Sequence, residues 1–456
     1  MGKKISSMLE IYTGDLIEYT EREHIDAVVN AADPTLMGSN FPGIDREIHR
    51  KINEKLLQSG NATFKEKIRV ELDEEEGLPD RLIRCKRGAA VTTSGYEFCK
   101  YIIHVVGPEC DGKRKSKSYP WCCTSRCTRT LEDCYCNIMK EIQAKRDIKT
   151  VIIPIVGTGN YAIPYKLALR IAMATVGNIL MKWQRQDPEY FDYMSLEKII
   201  FCIYSSNVRE QNERRAMAEG VLKQYRASYS KGHTVVFQKS LSAQCRYLYE
   251  ITKYDTQKGY FFIAKWTRVI ISIIRMLFCP ILFIKDFFGK YDWMTRKAIT
   301  EIVVFAKLLM PFLAYIFLHI DAIGQKKFVW IAGITVYFMI DTLSYLVCLI
   351  ILADIQRPSA NTIRSMILLL VNYLEVSLEI GLLYYLDNFG KVHFTAAICC
   401  GIMTERVNSF LAEGVAAGGC SEGLHYLNTA IKFFFSTLAF GYFANYLKQR
   451  KFRSGV

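Results

Sequence analysis

Residues 151–161 read VIIPIVGTGNY, an apolar run that ends in a glycine-rich turn. A short apolar run with β-branched residues, stopped by glycine, is the pattern of a strand buried on both faces. Similar runs stand at 8–12 (MLEIY), 25–30 (IDAVVN), 101–106 (YIIHVV) and 198–204 (KIIFCIY), each followed by a loop. Between them lie helical patterns. In 43–58 the apolar positions Ile44, Ile48, Ile52 and Leu56 share one helix face. Helices are also expected over 130–145, 164–182 and 207–226. Strands alternating with helices predict an α/β sheet covered on both sides.

The 456 residues are half hydrophobic, but unevenly so. Residues 1–226 have the mixed composition of a soluble domain, and 227–260 read as a polar linker. The stretch 261–290 is apolar but broken by Lys265, Arg268, Arg275 and Lys285, which predicts a basic amphipathic helix lying in a membrane interface. Residues 291–456 read as an all-α transmembrane domain with about four spans, at 301–320 (with Pro311 as a kink), 328–353, 365–386 and 424–447. Each is close to or above the ~20 residues needed to cross a bilayer. The Ala-, Gly- and Cys-rich stretch 391–420 is too interrupted for a span and reads as an external loop or a re-entrant segment.

The net charge of +14 is shared by both halves, and much of it flanks apolar segments. Anionic lipid explains it better than nucleic acid does. Four spans put both termini on one side, together with the basic end KQRKFR, Arg357 and Arg364, whereas Lys326 and Lys327 fall on the other. An integral membrane protein with its soluble half and both termini in the cytoplasm is therefore expected. The opening MGKKISSMLE lacks an apolar signal-peptide core, which fits that orientation. Its Met1-Gly2…Ser6 match to a myristoylation pattern is redundant beside several spans. Reduced thiols are expected for the cytosolic cysteines.

Three loops carry the chemistry, each directly after a strand, where open α/β sheets bind ligands. The first is Gly14-Asp15-Leu16-Ile17. The second runs from Asn30-Ala31-Ala32-Asp33 through Gly38 to Gly43-Ile44-Asp45. The third, Gly157-Thr158-Gly159-Asn160-Tyr161, has the glycines that let consecutive N–H groups approach a phosphate. Singly each is a common turn. Together with Ile44–His49 (IDREIH), Gly88–Tyr96 (GAAVTTSGY), Ile102–Pro108 (IIHVVGP) and Gly157–Pro164, their order resembles the macrodomain family over roughly residues 8–225.

That resemblance implies a three-layer α/β/α fold with a mixed central sheet and an ADP-ribose-type ligand, with no cofactor. It implies that Asp15 accepts from the adenine amino group, with Leu16 beside it, and that Asn30, Gly38, Gly43 and Ile44 line the ligand cleft. Gly157, Thr158, Gly159 and Asn160 would enclose the diphosphate, Tyr161 would pack on the distal ribose, and Tyr204 would stack on adenine or else pack in the core. Asp45 matches the aspartate that activates water or positions substrate in the family's hydrolases, and its other reading is a helix N-terminal acid. Two departures stand out. Asp33, a catalytic candidate beside Asp45, replaces the family's Asn: it can still accept from a ribose hydroxyl but cannot donate as an amide does, and it places a second charge near Asp45 that should raise one of the two pKa values. The segment Gly38–Gly43 is about two residues longer than usual, and Pro42 removes a backbone donor from it.

Cys110, Cys122, Cys123, Cys127, Cys134 and Cys136 form the densest cysteine cluster, yet they lack paired zinc spacing, and no metal is expected. In the apolar half, Asp341, Glu375 and Glu379 are buried by position, which marks them as functional candidates. Glu375 and Glu379 share a helix face, with Asn372 or Lys432 as expected partners. Three functional readings follow: a membrane-anchored ADP-ribose binder, a tethered ADP-ribosylhydrolase acting on ADP-ribosylated protein, and a ligand-regulated channel or transport element. The last lacks any TVGYG-like filter. Homo-oligomerisation through the apolar half is compatible with each.

Overall fold

The computed structural model describes residues 3–60, 62–75, 78–110, 123–256, 258–320, 326–356, 362–403, 422–439 and 441. Two compact units emerge: Met1–Glu250 with Gly289–Thr295, and Ile251–Phe288 with Arg296–Val456.

The first unit is built on six strands, β1 (Leu9–Thr13), β2 (Ala27–Ala31), β3 (Ala90–Ser94), β4 (Tyr101–Val105), β5 (Thr150–Pro154) and β6 (Lys198–Ile203), in the order β1-β6-β5-β2-β4-β3. All neighbours are parallel except β3 and β4. Alternate residues of each strand serve opposite faces. Val29, Ile103, Val151, Ile153, Phe201 and Ile203 join one buried cluster, while Val28, Ile102, Ile152 and Ile200 join the other. Helices Ser125–Ala144, Tyr165–Gln186 and Val208–Ser230 contribute to the first cluster, and Ile44–Gln58 and Phe64–Leu72 to the second. The result is the expected mixed sheet between two helical layers.

The edge strand β3 was not anticipated as a strand. Its AVTTS sequence is mostly polar and pairs on one side only. The stretch 227–260, expected as a linker, is largely structured. It holds the helix Ser240–Tyr254, and Val235 exchanges hydrogen bonds with the Asn178 amide. Glu250, buried, accepts from both the backbone N–H and the hydroxyl of Ser125 at 3.0 Å, capping the first turn of helix Ser125–Ala144.

The second unit is helical. Trp293–Leu318, Lys326–Ile351 and Ile363–Asp387 are, among the described residues, the three helices long and apolar enough to cross a membrane, and the first runs unbroken through Pro311. The 261–290 stretch is not one amphipathic helix. It forms Phe262–Leu277 and Pro280–Phe288, bent by 56°, and the pair would count as a fourth candidate span. Its polarity is also inside out. Arg268 and Arg275 are buried against Asp255, Asp354 and Asp341, while Ile263, Trp266, Ile270 and Leu277 are exposed.

Within 391–420, Phe394–Ile402 is helical, and 404–420 lies outside the described residues. This short helix lies backbone to backbone on Thr362–Asp387. A Cβ on Gly401 would collide with the Ser377 carbonyl oxygen, so only glycine permits that approach. Of the expected span 424–447, Glu422–Phe433 is α-helical and Phe434–Ala439 π-helical, and 442–447, like Gly2, Arg357 and the KQRKFR end, lies outside the described residues.

The Glu250 cap generates a stability prediction. Glu250→Ala leaves a buried N–H and hydroxyl unsatisfied and should destabilise the first unit by about 1–3 kcal/mol. Thermal unfolding of the full chain should show its transition several degrees lower, and an unchanged transition would make 227–260 a mere linker.

Candidate functional site

Because β1, β6, β5 and β2 lie side by side and parallel, the loops that leave their carboxyl ends share one edge of the sheet. Gly14 at the end of β1 is tied to β6 by its N–H to Ile203 O at 3.1 Å. Asp15 caps helix Leu16–Glu23, accepting on Oδ1 from the N–H groups of Ile17 (2.7 Å) and Glu18 (3.2 Å). Both capping bonds fall on one oxygen, so the carboxylate keeps Oδ2 for an external donor. Leu16 sends its side chain into the core, which limits it to backbone contact with any ligand.

The third loop is held by its own turns. Ile163 N–H donates to Gly157 O (2.9 Å), Ala162 N–H to Gly159 O (3.0 Å), and the Thr158 hydroxyl to Ile155 O (2.8 Å). Gly157 has φ +81°, and a Cβ there would meet Ile163 at 2.5 Å. Across the cleft, Asn160 Nδ2 donates to Pro42 O at 3.4 Å and so joins the third loop to the Gly38–Gly43 segment. Helix Ile44–Gln58 starts there on Gly43 with no side-chain cap, leaving the N–H groups around Ile44 for an anion. Tyr161 lies under the Arg87 guanidinium, 4.9 Å from the ring centre, and Arg87 also donates to Gly107 O (3.1 Å). Tyr204 is 56% exposed just beyond β6, which disposes of core packing as its role.

Asp45 forms the floor. It is 4% exposed, and its Oδ1 accepts from Asn30 Nδ2 at 2.7 Å. Asn30 is itself fully buried and turned toward Asp45 and toward His104 Nδ1 (3.3 Å), so it holds Asp45 rather than facing the open cleft. His104 Nε2 is in turn 2.9 Å from the Thr93 hydroxyl. His49 Nε2 lies 3.6 Å from Asp45 Oδ1, and its ring packs on Phe64. A Cβ at Gly38 (φ +81°) would stand 3.0 Å from the His49 ring, so the left-handed conformation and the close approach both demand glycine. His49, His104, Thr93 and Arg87 were not singled out from sequence, although all lie within or beside the quoted blocks.

Electrostatics follow from burial. Desolvation pushes the Asp45 pKa up to about 6, the Asn30 hydrogen bond opposes this, and the Asp33 charge adds to it. The charge repulsion expected from Asp33 is therefore present, but burial is the larger cause. Asp33 spends its Oδ1 on its own loop, accepting from the Thr35 N–H (2.7 Å) and hydroxyl (2.6 Å). Burial lowers His49 to about 4 and His104 to about 3, so both rings are neutral near pH 7. Of the cysteine cluster, Cys110 and Cys123 meet at 3.2 Å between sulfurs, Cys127 and Cys134 are buried, Cys136 is half-buried, and Cys122 lies outside the described residues.

The comparisons with known proteins bear on this geometry. The chain is 32% identical over 177 residues to a macro domain-containing protein of Methanosarcina mazei, covering 38% of this chain and 74% of that one. It is 31% identical over 183 residues to an O-acetyl-ADP-ribose deacetylase of an Enterobacter species, covering 40% and 84%. The chain belongs to the macro domain family. The Macro domain family model itself matches residues 29–172. An ADP-ribose glycohydrolase MACROD2 of Xenopus laevis is 29% identical over 197 residues; the match spans 43% of this chain and only 37% of that protein. Among solved structures, the macrodomain of Oceanobacillus iheyensis with ADP aligns at 23% identity and a TM-score of 0.33, covering 49% of this chain and 95% of that one.

The buried titratable groups of the macro domain predict a pH signature. Asp45 binds its proton more tightly folded than unfolded, so between pH 6 and 4 it adds stability as pH falls. His49 and His104 do the reverse: their stabilisation is complete above pH 6.5 and is lost on acidification toward pH 4 and 3. Asp45→Asn removes the first effect only. It should raise stability near pH 7 by up to about 3 kcal/mol and make the acid-side loss steeper than in the wild type. Parallel melting curves for the two proteins from pH 7.5 to 4.5 would refute this.

Proposed function

We propose that the macro domain binds ADP-ribose or a close derivative in the cleft at the carboxyl ends of β1, β2, β5 and β6, within a protein held in a membrane by its apolar helices. The single observation that carries the reading is the juxtaposition of a carboxylate, two anion-ready loops and an exposed aromatic at one sheet edge. Asp15 offers an acceptor to an amino group. The Gly157–Tyr161 loop, joined to Pro42 by Asn160, supplies backbone N–H groups suited to a diphosphate. Tyr161, steadied by Arg87, and the exposed Tyr204 supply faces for ribose and adenine. Two relatives bear the names ADP-ribose glycohydrolase and O-acetyl-ADP-ribose deacetylase, which supports a ligand of this class.

Hydrolysis is the second reading, and the raised Asp45 supports it. A carboxylate titrating near 6 is still mostly ionised at pH 7 and basic enough to take a proton from water. Against it stands Asp33, whose Oδ1 is engaged by the Thr35 turn and which cannot donate as an amide would. Binding, relayed to the helical unit, is the function we favour. The membrane reading rests on three helices of spanning length and apolarity, and the basic residues flanking the apolar runs support a cytoplasmic macro domain with both termini on the same side.

Calorimetry of the full chain in detergent micelles tests the proposal. ADP-ribose should bind, and Asp15→Asn should weaken it about tenfold or more. Asparagine keeps the helix cap but turns an N–H₂ toward the adenine amine. Equal affinity in the variant would remove Asp15 from the site. Incubation of the same samples with ADP-ribosylated protein separates binding from turnover: release lost in Asp45→Ala would establish the hydrolase reading, and no release from either protein leaves binding alone.

A further inference from the structure

Among its described residues the helical unit buries five ionisable side chains close together. Asp341, on helix Lys326–Ile351, accepts from Arg275 Nη1 on Oδ1 (3.1 Å) and from Lys307 Nζ on Oδ2 (2.6 Å). Lys307, on helix Trp293–Leu318, also donates to the Thr342 hydroxyl (2.9 Å) and reaches Glu375 Oε1 at 3.4 Å. Thr342 donates in turn to Glu375 Oε1 at 2.6 Å. Glu375 is therefore partnered by Thr342 and Lys307, and not by the Asn372 or Lys432 that its sequence position suggested.

Among the described residues the charges do not balance. Two cations, Arg275 and Lys307, face three carboxylates, and both are spent on Asp341 and Glu375. Glu379, one helical turn beyond Glu375, is 0% exposed, and both of its carboxyl oxygens are buried with no hydrogen-bond partner among the described residues. Glu375 Oε2 is in the same condition. Among the described residues, the charged groups that act on Glu379 are Glu375, Lys307 and Asp341. The helices packed on Thr362–Asp387 also carry Cys399 and Cys400, on Phe394–Ile402, and His425, Tyr426 and Lys432, on Glu422–Phe433. An ionised, unpaired carboxylate in such surroundings costs several kcal/mol, and a like charge one turn away adds to that cost.

The geometry points to a proton-binding site: the Glu375–Glu379 pair holds one proton, seated on Glu379, taken from water and returned to it as Glu379 changes between –COO⁻ and –COOH. A bound metal ion fits less well. Among the described residues no three His, Cys, Asp or Glu side chains converge as metal ligands, and Lys307 already occupies the cationic position beside the pair. The inference rests on burial inside the helical unit and is independent of the ADP-ribose reading.

Infrared spectroscopy of the full chain in detergent micelles at neutral pH tests it, because a protonated carboxyl has a C=O stretch separate from that of a carboxylate. The wild type should show a buried-acid band that shifts when its glutamates carry carbonyl ¹³C. The band should vanish in Glu379→Gln and persist in Glu375→Gln. Glu379→Gln, which copies the protonated acid in shape and charge, should melt at the wild-type temperature. A wild-type spectrum without a glutamic-acid band overturns the proposal whatever the variants do. So does a band that appears only after metal cations are removed, which would make the occupant a metal ion, and so does a band lost in Glu375→Gln but kept in Glu379→Gln.

Discussion

Parallel strands placed side by side release their loops at the same edge, and the macro domain depends on that constraint. Residues as distant in sequence as Asp15, Asp45, Asn160 and Tyr204 are gathered because β1, β6, β5 and β2 run in register and in one direction. The register is in turn fixed by burial on both faces. A shift of one residue would exchange Val28 for Val29 and Ile152 for Ile153, moving every side chain to the opposite core. The packing of two helical layers is thus what positions the cleft.

Within the cleft the floor and the walls are built differently. The walls are backbone: glycine turns, uncapped N–H groups and a loop-to-loop bond from Asn160 to Pro42. They suit a ligand whose charge is spread over phosphate oxygens. The floor is a chain of buried side chains from Asp45 through Asn30 and His104 to Thr93, with His49 alongside. Burial keeps both imidazoles neutral while raising the carboxylate, so a single environment prepares one weakly basic acid beside two neutral rings.

Much of this was legible in the sequence, and the exceptions have physical causes. β2, β4, β5 and β6 announced themselves because strands buried on both faces cannot hide their composition, and the edge strand β1 did so through Leu9, Ile11 and Tyr12. β3 did not, since an edge strand paired on one side tolerates Thr and Ser. The three glycine loops were readable because φ constraints fix residue type. The inward turn of Asn30 was not, because an amide at a strand end can face either way and only the third dimension supplies Asp45 and His104 as partners. The stretch 261–290 misled for a related reason. Arg268 and Arg275 at helical spacing look like a solvated face until Asp255, Asp354 and Asp341, distant in sequence, are placed opposite them. The 227–260 segment looked like a linker because its anchoring groups, Glu250 and Val235, are scattered singly through polar residues.

On the proposed reading, one cleft built by these loops receives an ADP-ribose-type ligand. The decisive experiment is a structure of the full chain with ADP-ribose added. Adenine is expected beside Asp15 and Tyr204, the diphosphate between the Gly157–Tyr161 loop and the start of helix Ile44–Gln58, and the distal ribose against Tyr161 above Asp45. An empty cleft at saturating ADP-ribose, or the ligand bound elsewhere on the chain, would contradict it.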